Sequence, residues 1–145
     1  MLRFTRVHEP PPPDFAKDWL RRYEDGRREG TREAFAIVDG GDEFLGLALA
    51  PRIERVDRTL ELGYMVAAAA RGRGVASEAL RLLTEWAFAE LGALRAELLI
   101  DVENEPSKAV ARRCGYVREG VLRSLHVKQG RRADVEIWSR LPSDP

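Results

Sequence analysis

Six residues in the middle of the chain, Arg71-Gly72-Arg73-Gly74-Val75-Ala76, run straight into an amphipathic segment that starts at Ser77. A helix N-terminus carries unpaired backbone N–H groups and the positive end of the helix dipole. Glycines just ahead of it let an anion approach the backbone, because no Cβ stands in the way. Gly72, Gly74 and Ala76 supply that slimness, while Arg71 and Arg73 add positive charge. The junction is suited to a pyrophosphate; a flexible surface turn is the other reading of the same residues.

Two familiar phosphate motifs do not fit. A P-loop needs a Lys after its second glycine, and no Lys follows Gly72 or Gly74. The dinucleotide fingerprint comes nearer, with glycines at 72 and 74 and Asp101 in the place of the ribose-binding acid. It lacks the third glycine, however, and Ala67 to Arg71 separate the preceding strand from the loop. That fingerprint sits tight against its strand and needs a second half to complete a doubly wound sheet.

Other side chains could take part in chemistry. Asn104 and Ser107 stand three apart at the start of a short helix, where both are also ordinary helix-start residues. Glu61 lies on a strand entering the junction, with cross-strand pairing to an Arg as its structural alternative. His126 lies on the penultimate strand; an imidazole with a pKa of about 6.5 is mostly neutral near pH 7 and ready to accept a proton. A surface histidine on an edge strand is its other reading. Glu78 and Glu85 read better as first-turn charge and as an Arg81–Glu85 pair. Cys114 closes "ARRCGY", where a small packing residue suits a helix end better than a catalytic thiol.

The elements that must hold these groups follow from periodicity and punctuation. "EPPPP" at 9–13 is a stiff lead-in, after which Asp14 can cap a helix bearing Phe15, Trp19 and Tyr23 on one face, with "EDGRREG" breaking it. Residues 34–39 and 44–50 read as strands around the hairpin turn "GGDE". "TLELGYMV" at 59–66 is a third strand, and Gly63 inside it predicts a bulge or a close backbone approach. Leu80, Leu83, Ala87 and Leu91 fall on one face of the helix after the junction, which Gly92 ends. Residues 95–102 form a fourth strand, "NEPSKAVARRCG" a short helix, and 119–128 with 132–141 a closing hairpin around "KQGR". This order, with a β-helix-β unit in the middle, predicts an α/β or α+β domain.

Composition sets the outer limits. The 145 residues suffice for one domain with a proper core. Lys and Arg together number 24 and so do Asp and Glu, so no global field draws the chain to nucleic acid or an acidic membrane. The basic side holds 21 Arg and 3 Lys, which a GC-rich genome produces; an Arg-built binding surface is the other reading. A single Cys excludes an intrachain disulfide and a multi-Cys zinc site, and fits a reducing compartment. No apolar run is long enough to span a bilayer, and the start lacks the apolar core of a signal peptide.

Taken together, these features resemble the GNAT acetyl-CoA-dependent N-acetyltransferases. Their pyrophosphate loop, [QR]-x-x-G-x-[GA], is matched by Arg71, Gly74 and Ala76. "LELGYMV" before it and "ASEALRLLTEWAFAELG" after it are similar to the family's flanking strand and helix. "DVENEPSKAVARRCGYVREGVLR" and "GRRADVEIWSRL" resemble the branch of ribosomal-protein N-acetyltransferases, a likeness covering about residues 33–141. The resemblance implies a single domain over 1–145 with a mixed central sheet flanked by helices. It also implies a bacterial, cytoplasmic enzyme, acetyl-CoA as co-substrate and no metal. Gly72, Arg73, Gly74, Val75, Ala76 and Ser77 would hold the pyrophosphate beside Arg71, and a backbone N–H near Met65 or Val66 would polarise the thioester carbonyl. Asn104 and Ser107 would bind the pantetheine. Many relatives place a general-acid Tyr where this chain has Ala111; the branch assigns that role to a Ser at the position of Ser107, with solvent protonation as the alternative.

For the base, the resemblance leaves Glu61, His126 or water. The acceptor it implies is a primary amine, a protein α-amine ahead of a small molecule, since an α-amine with a pKa near 7.7–8 needs only a weak base. Relatives carry a further strand and helix, about thirty residues, before the point where "LRFTRV" begins here. Without them the edge of strand 33–39 would be exposed, which favours a homodimer. A regulatory module that binds acetyl-CoA with little turnover is the competing expectation.

Overall fold

Alternating apolar residues along 33–66 and 95–140 build six strands that bond into one mixed sheet of order β1-β2-β3-β4-β6-β5. The structure, a computed structural model, describes residues 10–145. The segment "LRFTRV" and Glu9 of the proline-rich lead-in lie outside the described residues. The elements run α1 (Phe15–Glu29), β1 (Glu33–Val38), β2 (Phe44–Glu54), β3 (Thr59–Val66), a 3-10 turn at Ala68–Ala70 and α2 (Val75–Ala89). They continue with β4 (Arg95–Asp101), α3 (Glu105–Arg113), β5 (Val117–Lys128) and β6 (Arg131–Arg140).

β3, α2 and β4 form the expected crossover unit, with β3 and β4 parallel and every other strand pair antiparallel. Even-numbered residues of β3 and β4 face α2 and α3. Leu60, Leu62, Leu98 and Ile100 meet Leu80, Leu83, Val110 and Ala111 there. Leu60 and Leu80 are completely buried, each stabilising the fold by about 1.5–3 kcal/mol. The opposite face carries charge in a ladder of ion pairs, Arg52–Glu97, Arg95–Glu97 and Arg95–Glu119. β1 and β5 are the sheet edges, and exposed Phe35 and Val38 lie on β1.

Several expectations need correction. "EDGRRE" does not break α1 but forms its last two turns, and the helix stops only at Gly30, in the left-handed conformation at φ 76°. Gly26 sits inside the helix because a Cβ there would collide with the Arg32 side chain, so it permits close packing rather than a turn. Asp14 precedes the helix with φ 62° and makes no side-chain cap. β2 runs past Pro51 to Glu54; the ladder with β3 skips between Leu49 and Arg52, so the proline sits in a bulge. That bulge lies on the strand facing Gly63. Gly63 itself has open space around it, and the close backbone approach belongs to Gly46 of β2, where a Cβ would overlap the Met65 carbonyl oxygen.

Candidate active site

β3 and β4 are bonded only at Thr59–Arg95, Leu60–Ala96 and Glu61–Glu97. Beyond that point they diverge and leave a V-shaped gap between residues 62–66 and 98–101. Ala67 donates its N–H to the Leu45 carbonyl at 2.8 Å, towards β2. Because successive residues of a strand point their backbone groups to opposite sides, the neighbouring Val66 turns its own N–H towards the gap. Gly46 lets β2 press against Met65 from behind and so fixes this edge.

The gap opens onto the glycine junction. After the 3-10 turn, Arg71 folds back so that its Nε donates to the Val66 carbonyl at 3.4 Å. Gly72 and Gly74 both take the left-handed conformation, at φ 74° and 73°, with empty space where a Cβ would stand. Gly74 is the N-cap of α2, and no side chain caps the helix. The first-turn amides of Val75, Ala76 and Ser77 therefore face outward, with the positive end of a 15-residue helix behind them. A groove of about 310 Å³ leads away from Gly74, lined by Ser77, Arg81, Arg113, Cys114 and Arg140 among others. Arg81 is engaged by Glu78 and by Glu85 at 2.6 and 2.7 Å, and Arg140 donates to the Cys114 carbonyl at 2.6 Å. Arg113 donates to the Ser77 hydroxyl at 3.3 Å and has no carboxylate partner among the described residues, so of the three arginines lining the groove it is the one most available to an incoming anion.

α3 supplies the other wall. Asn104 is its N-cap and accepts the Ser107 N–H on Oδ1 at 3.2 Å, while Pro106 occupies the first turn, where it sacrifices no helical bond. That bond leaves the Asn104 amide N–H groups as its remaining donors. Ser107 is half-buried, and the Tyr64 hydroxyl on the far side of the gap donates to its Oγ at 3.3 Å. Burial pushes the Tyr64 phenol above its usual pKa. Cys114 caps the end of α3 in the core, and burial holds its thiol high against the influence of Arg140 and Arg113. A raised thiol is a poor nucleophile, which agrees with a packing role.

The two candidate bases stand apart from this cluster. Glu61 lies at the closed vertex of the V, beside Glu97, on the face opposite Ser107. Its charge raises the Tyr23 phenol of α1, behind the larger effect of burial. The arginine opposite it, Arg52, reaches across to Glu97 at 3.0 Å. His126 follows a bulge in β5 and pairs with Ala133, two residues past the Val135–Asp101 pair, so it is level with the open mouth of the V. Among the described residues no three His, Cys, Asp or Glu side chains gather to hold a metal. No described helix is long and apolar enough to cross a membrane.

The sequence marks neither Gly46 nor Arg113 as a site residue, and it marks Tyr64 only as part of the strand that the resemblance implies splays from residues 95–102. Tyr64 alone left a signal: it shares parity with Leu60 and Leu62, which places it on the helix-facing side of β3.

Comparison with known proteins completes the picture. The Acetyltransferase (GNAT) domain family matches residues 1–117. An uncharacterized N-acetyltransferase of Bacillus licheniformis is 32% identical over 127 residues, 87% of this chain and 71% of that one. The ribosomal-protein-serine acetyltransferase of Escherichia coli is 33% identical over 101 residues, 69% of this chain and only 56% of its own length. In fold, the spermidine N-acetyltransferase of Vibrio cholerae in complex with CoA and spermine superposes with a TM-score of 0.83 at 24% identity, over 92% of this chain and 79% of that one. With its split parallel strands, glycine junction and capped α3, the chain belongs to the GNAT family of N-acetyltransferases, whose acetyl donor is acetyl-CoA.

Proposed function

We propose that this chain transfers the acetyl group of acetyl-CoA to a protein N-terminal α-amine by direct attack on the thioester. The observation that carries the reading is the V between β3 and β4, which leads from the Tyr64–Ser107 pair to the bare N-terminus of α2. The pyrophosphate rests on the amides of residues 72–77 with Arg71 and Arg73 beside it, and Arg113 extends the positive surface into the groove. The pantetheine lies in the gap against the Asn104 amide. Val66 N–H, already aimed into the gap, donates to the thioester oxygen as negative charge develops there. Ser107 gives a proton to the departing sulfur. The acceptor amine loses its proton through water to His126 at the mouth, with Glu61 as the competing base.

The charges around the site support an α-amine over a polyamine. A polycation needs free carboxylates, whereas at the open end of the gap Asp101 faces Lys128 at 3.7 Å and Glu105 and Glu136 are held by Lys108. A single amine with a pKa near 7.7–8 is already partly neutral at pH 7 and needs only a weak base. A homodimer through the exposed β1 edge, where Phe35 and Val38 lie, and action in the bacterial cytoplasm belong to the same proposal.

The test is coenzyme A release from acetyl-CoA, read by thiol titration, across peptides with free N-termini, spermidine and small amines, with Gly74→Trp beside the wild type. Release driven by peptides and abolished by the variant is the expected result. Release driven by spermidine alone reassigns the acceptor. Tight acetyl-CoA binding with no release for any acceptor makes the chain a binding module.

A further inference from the structure

We infer that Tyr64 is a positioning residue for the transfer step, aiming the Ser107 hydroxyl proton at the leaving sulfur and replacing that proton as it departs. The inference rests on the reading of Ser107 given above and extends it to a second group on the opposite wall of the gap. Of the three tyrosines in the chain, Tyr23 stacks on Trp19 at 4.3 Å in α1. Tyr116 is buried with its hydroxyl 2.7 Å from Thr84 Oγ1. Tyr64 is the phenol that meets Ser107, across 43 residues of sequence, with its O–H donated to Oγ at 3.3 Å.

A serine hydroxyl has one proton and two lone pairs. With one lone pair taken by Tyr64, the Ser107 proton is turned away from the phenol and left for another acceptor. Burial keeps the phenol protonated across the neutral range, so it is a donor at every working pH.

The chemistry also needs a second hydroxyl. A serine hydroxyl alone is a poor acid, because losing its proton leaves an alkoxide. As the amine nitrogen bonds to the acetyl carbon and the C–S bond breaks, its electron pair stays on sulfur. Sulfur takes the Ser107 proton while Ser107 Oγ takes the Tyr64 proton, so the charge comes to rest on a phenolate, a much weaker base than an alkoxide. Tyr64 then recovers a proton from water, and the proton lost by the amine goes to solvent, so the count closes. No oxidant or metal is required.

The test is a double-mutant cycle on the full chain with acetyl-CoA and a peptide bearing a free α-amine. It is repeated without peptide, where water takes the acetyl group and the same thiolate must leave. Tyr64→Phe keeps the ring and is expected to lower kcat about tenfold, less than the roughly hundredfold or more of a direct acid, as suits a group that acts through Ser107. KM for acetyl-CoA and the melting temperature should stay near wild type. The double variant with Ser107→Ala should be no slower than Ser107→Ala alone. A proton inventory in mixed H2O and D2O should be curved for wild type and linear for Tyr64→Phe.

Wild-type kcat in Tyr64→Phe beside a slow Ser107→Ala overturns the inference and leaves Ser107 in its role. Additive losses, or a Tyr64→Phe defect confined to KM and melting temperature, overturn it too. Wild-type kcat in Ser107→Ala, or no release by the wild type with either acceptor, removes the underlying reading and the inference with it.

Discussion

Gly46 and Met65 lie so close across β2 and β3 that a Cβ on residue 46 would occupy the space of the Met65 carbonyl oxygen. Met65 directly precedes Val66, whose N–H faces the gap, so the packing behind β3 sets the position of the amide in front of it. Gly46→Ala must push β3 outward or distort the β2 backbone. It is expected to cost about 1–3 kcal/mol of stability, as overpacking does, and to raise KM for acetyl-CoA by moving Val66. Gly63→Ala is the internal control for stability, since nothing lies within 4 Å of its Cβ position; its melting temperature should match wild type. Equal melting temperatures for both variants would show that the close approach carries no constraint.

The base is separable by position. His126 stands level with the mouth of the V and Glu61 at its vertex. His126→Gln should reduce kcat/KM for a peptide α-amine about tenfold, a modest share of what general bases contribute, and Glu61→Gln less than threefold. The loss in His126→Gln should shrink as pH rises towards the amine's own pKa of about 8, where the acceptor no longer needs a base. A larger loss in Glu61→Gln would move the base to the closed end of the gap.

What the sequence disclosed, and what it hid, divides by distance along the chain. The glycine junction was readable because its whole requirement is local: slim residues, positive charge and a helix start within 71–77. The crossover unit was readable for the same reason, since a run of alternating strand, loop and amphipathic helix dictates parallel pairing. Asn104 and Ser107 stand three residues apart, and the bond between them bears out their helix-start reading, because Asn104 caps the very helix that presents Ser107.

Glycines were harder to place. Gly26 stands in the segment expected to break α1 and serves close packing against Arg32, while Gly46 carries no mark in the sequence of its apolar strand and serves the Met65 contact. A glycine's reason is often the neighbour it admits, and that neighbour is 6 residues away in one case and 19 in the other. The Tyr64–Ser107 bond and the distance of Glu61 from it depend on where β3 and β4 part, which no local pattern encodes.

The charged face of the sheet predicts a pH effect of defined sign. The Arg95 guanidinium grips the Glu119 carboxylate through two bonds, at 2.7 and 2.9 Å, and Ser139 donates to the same group. Arg95 first and Ser139 second hold the Glu119 pKa down at about 2, against an ordinary 4.5. A depressed folded-state pKa contributes stability that is present above the unfolded value and lost as pH falls through the folded one. The melting temperature of the wild type should exceed that of Glu119→Gln at pH about 6, and the difference should close between about 4.5 and 2. Glu119 is partly exposed, so about 1 M salt should narrow the difference at every pH. A constant gap across that window would mean that Glu119 stabilises by packing rather than by charge.

Asn104 allows its two roles to be separated by one atom. Its Oδ1 accepts the Ser107 N–H and caps α3, while the amide N–H groups are the part assigned to the pantetheine. Aspartate is as good an N-cap as asparagine, so Asn104→Asp keeps the cap and discards the donor. Its melting temperature should stay at the wild-type value, and KM for acetyl-CoA should rise about tenfold, the loss of one hydrogen bond of about 1.4 kcal/mol. Asn104→Ala loses the cap as well, at about 1 kcal/mol. It should therefore melt earlier and lower kcat, because the unfastened first turn of α3 carries Ser107 away from Tyr64. If Asn104→Asp binds acetyl-CoA as wild type does, Asn104 is a helix cap alone, and the pantetheine is held in the gap by the strand edges.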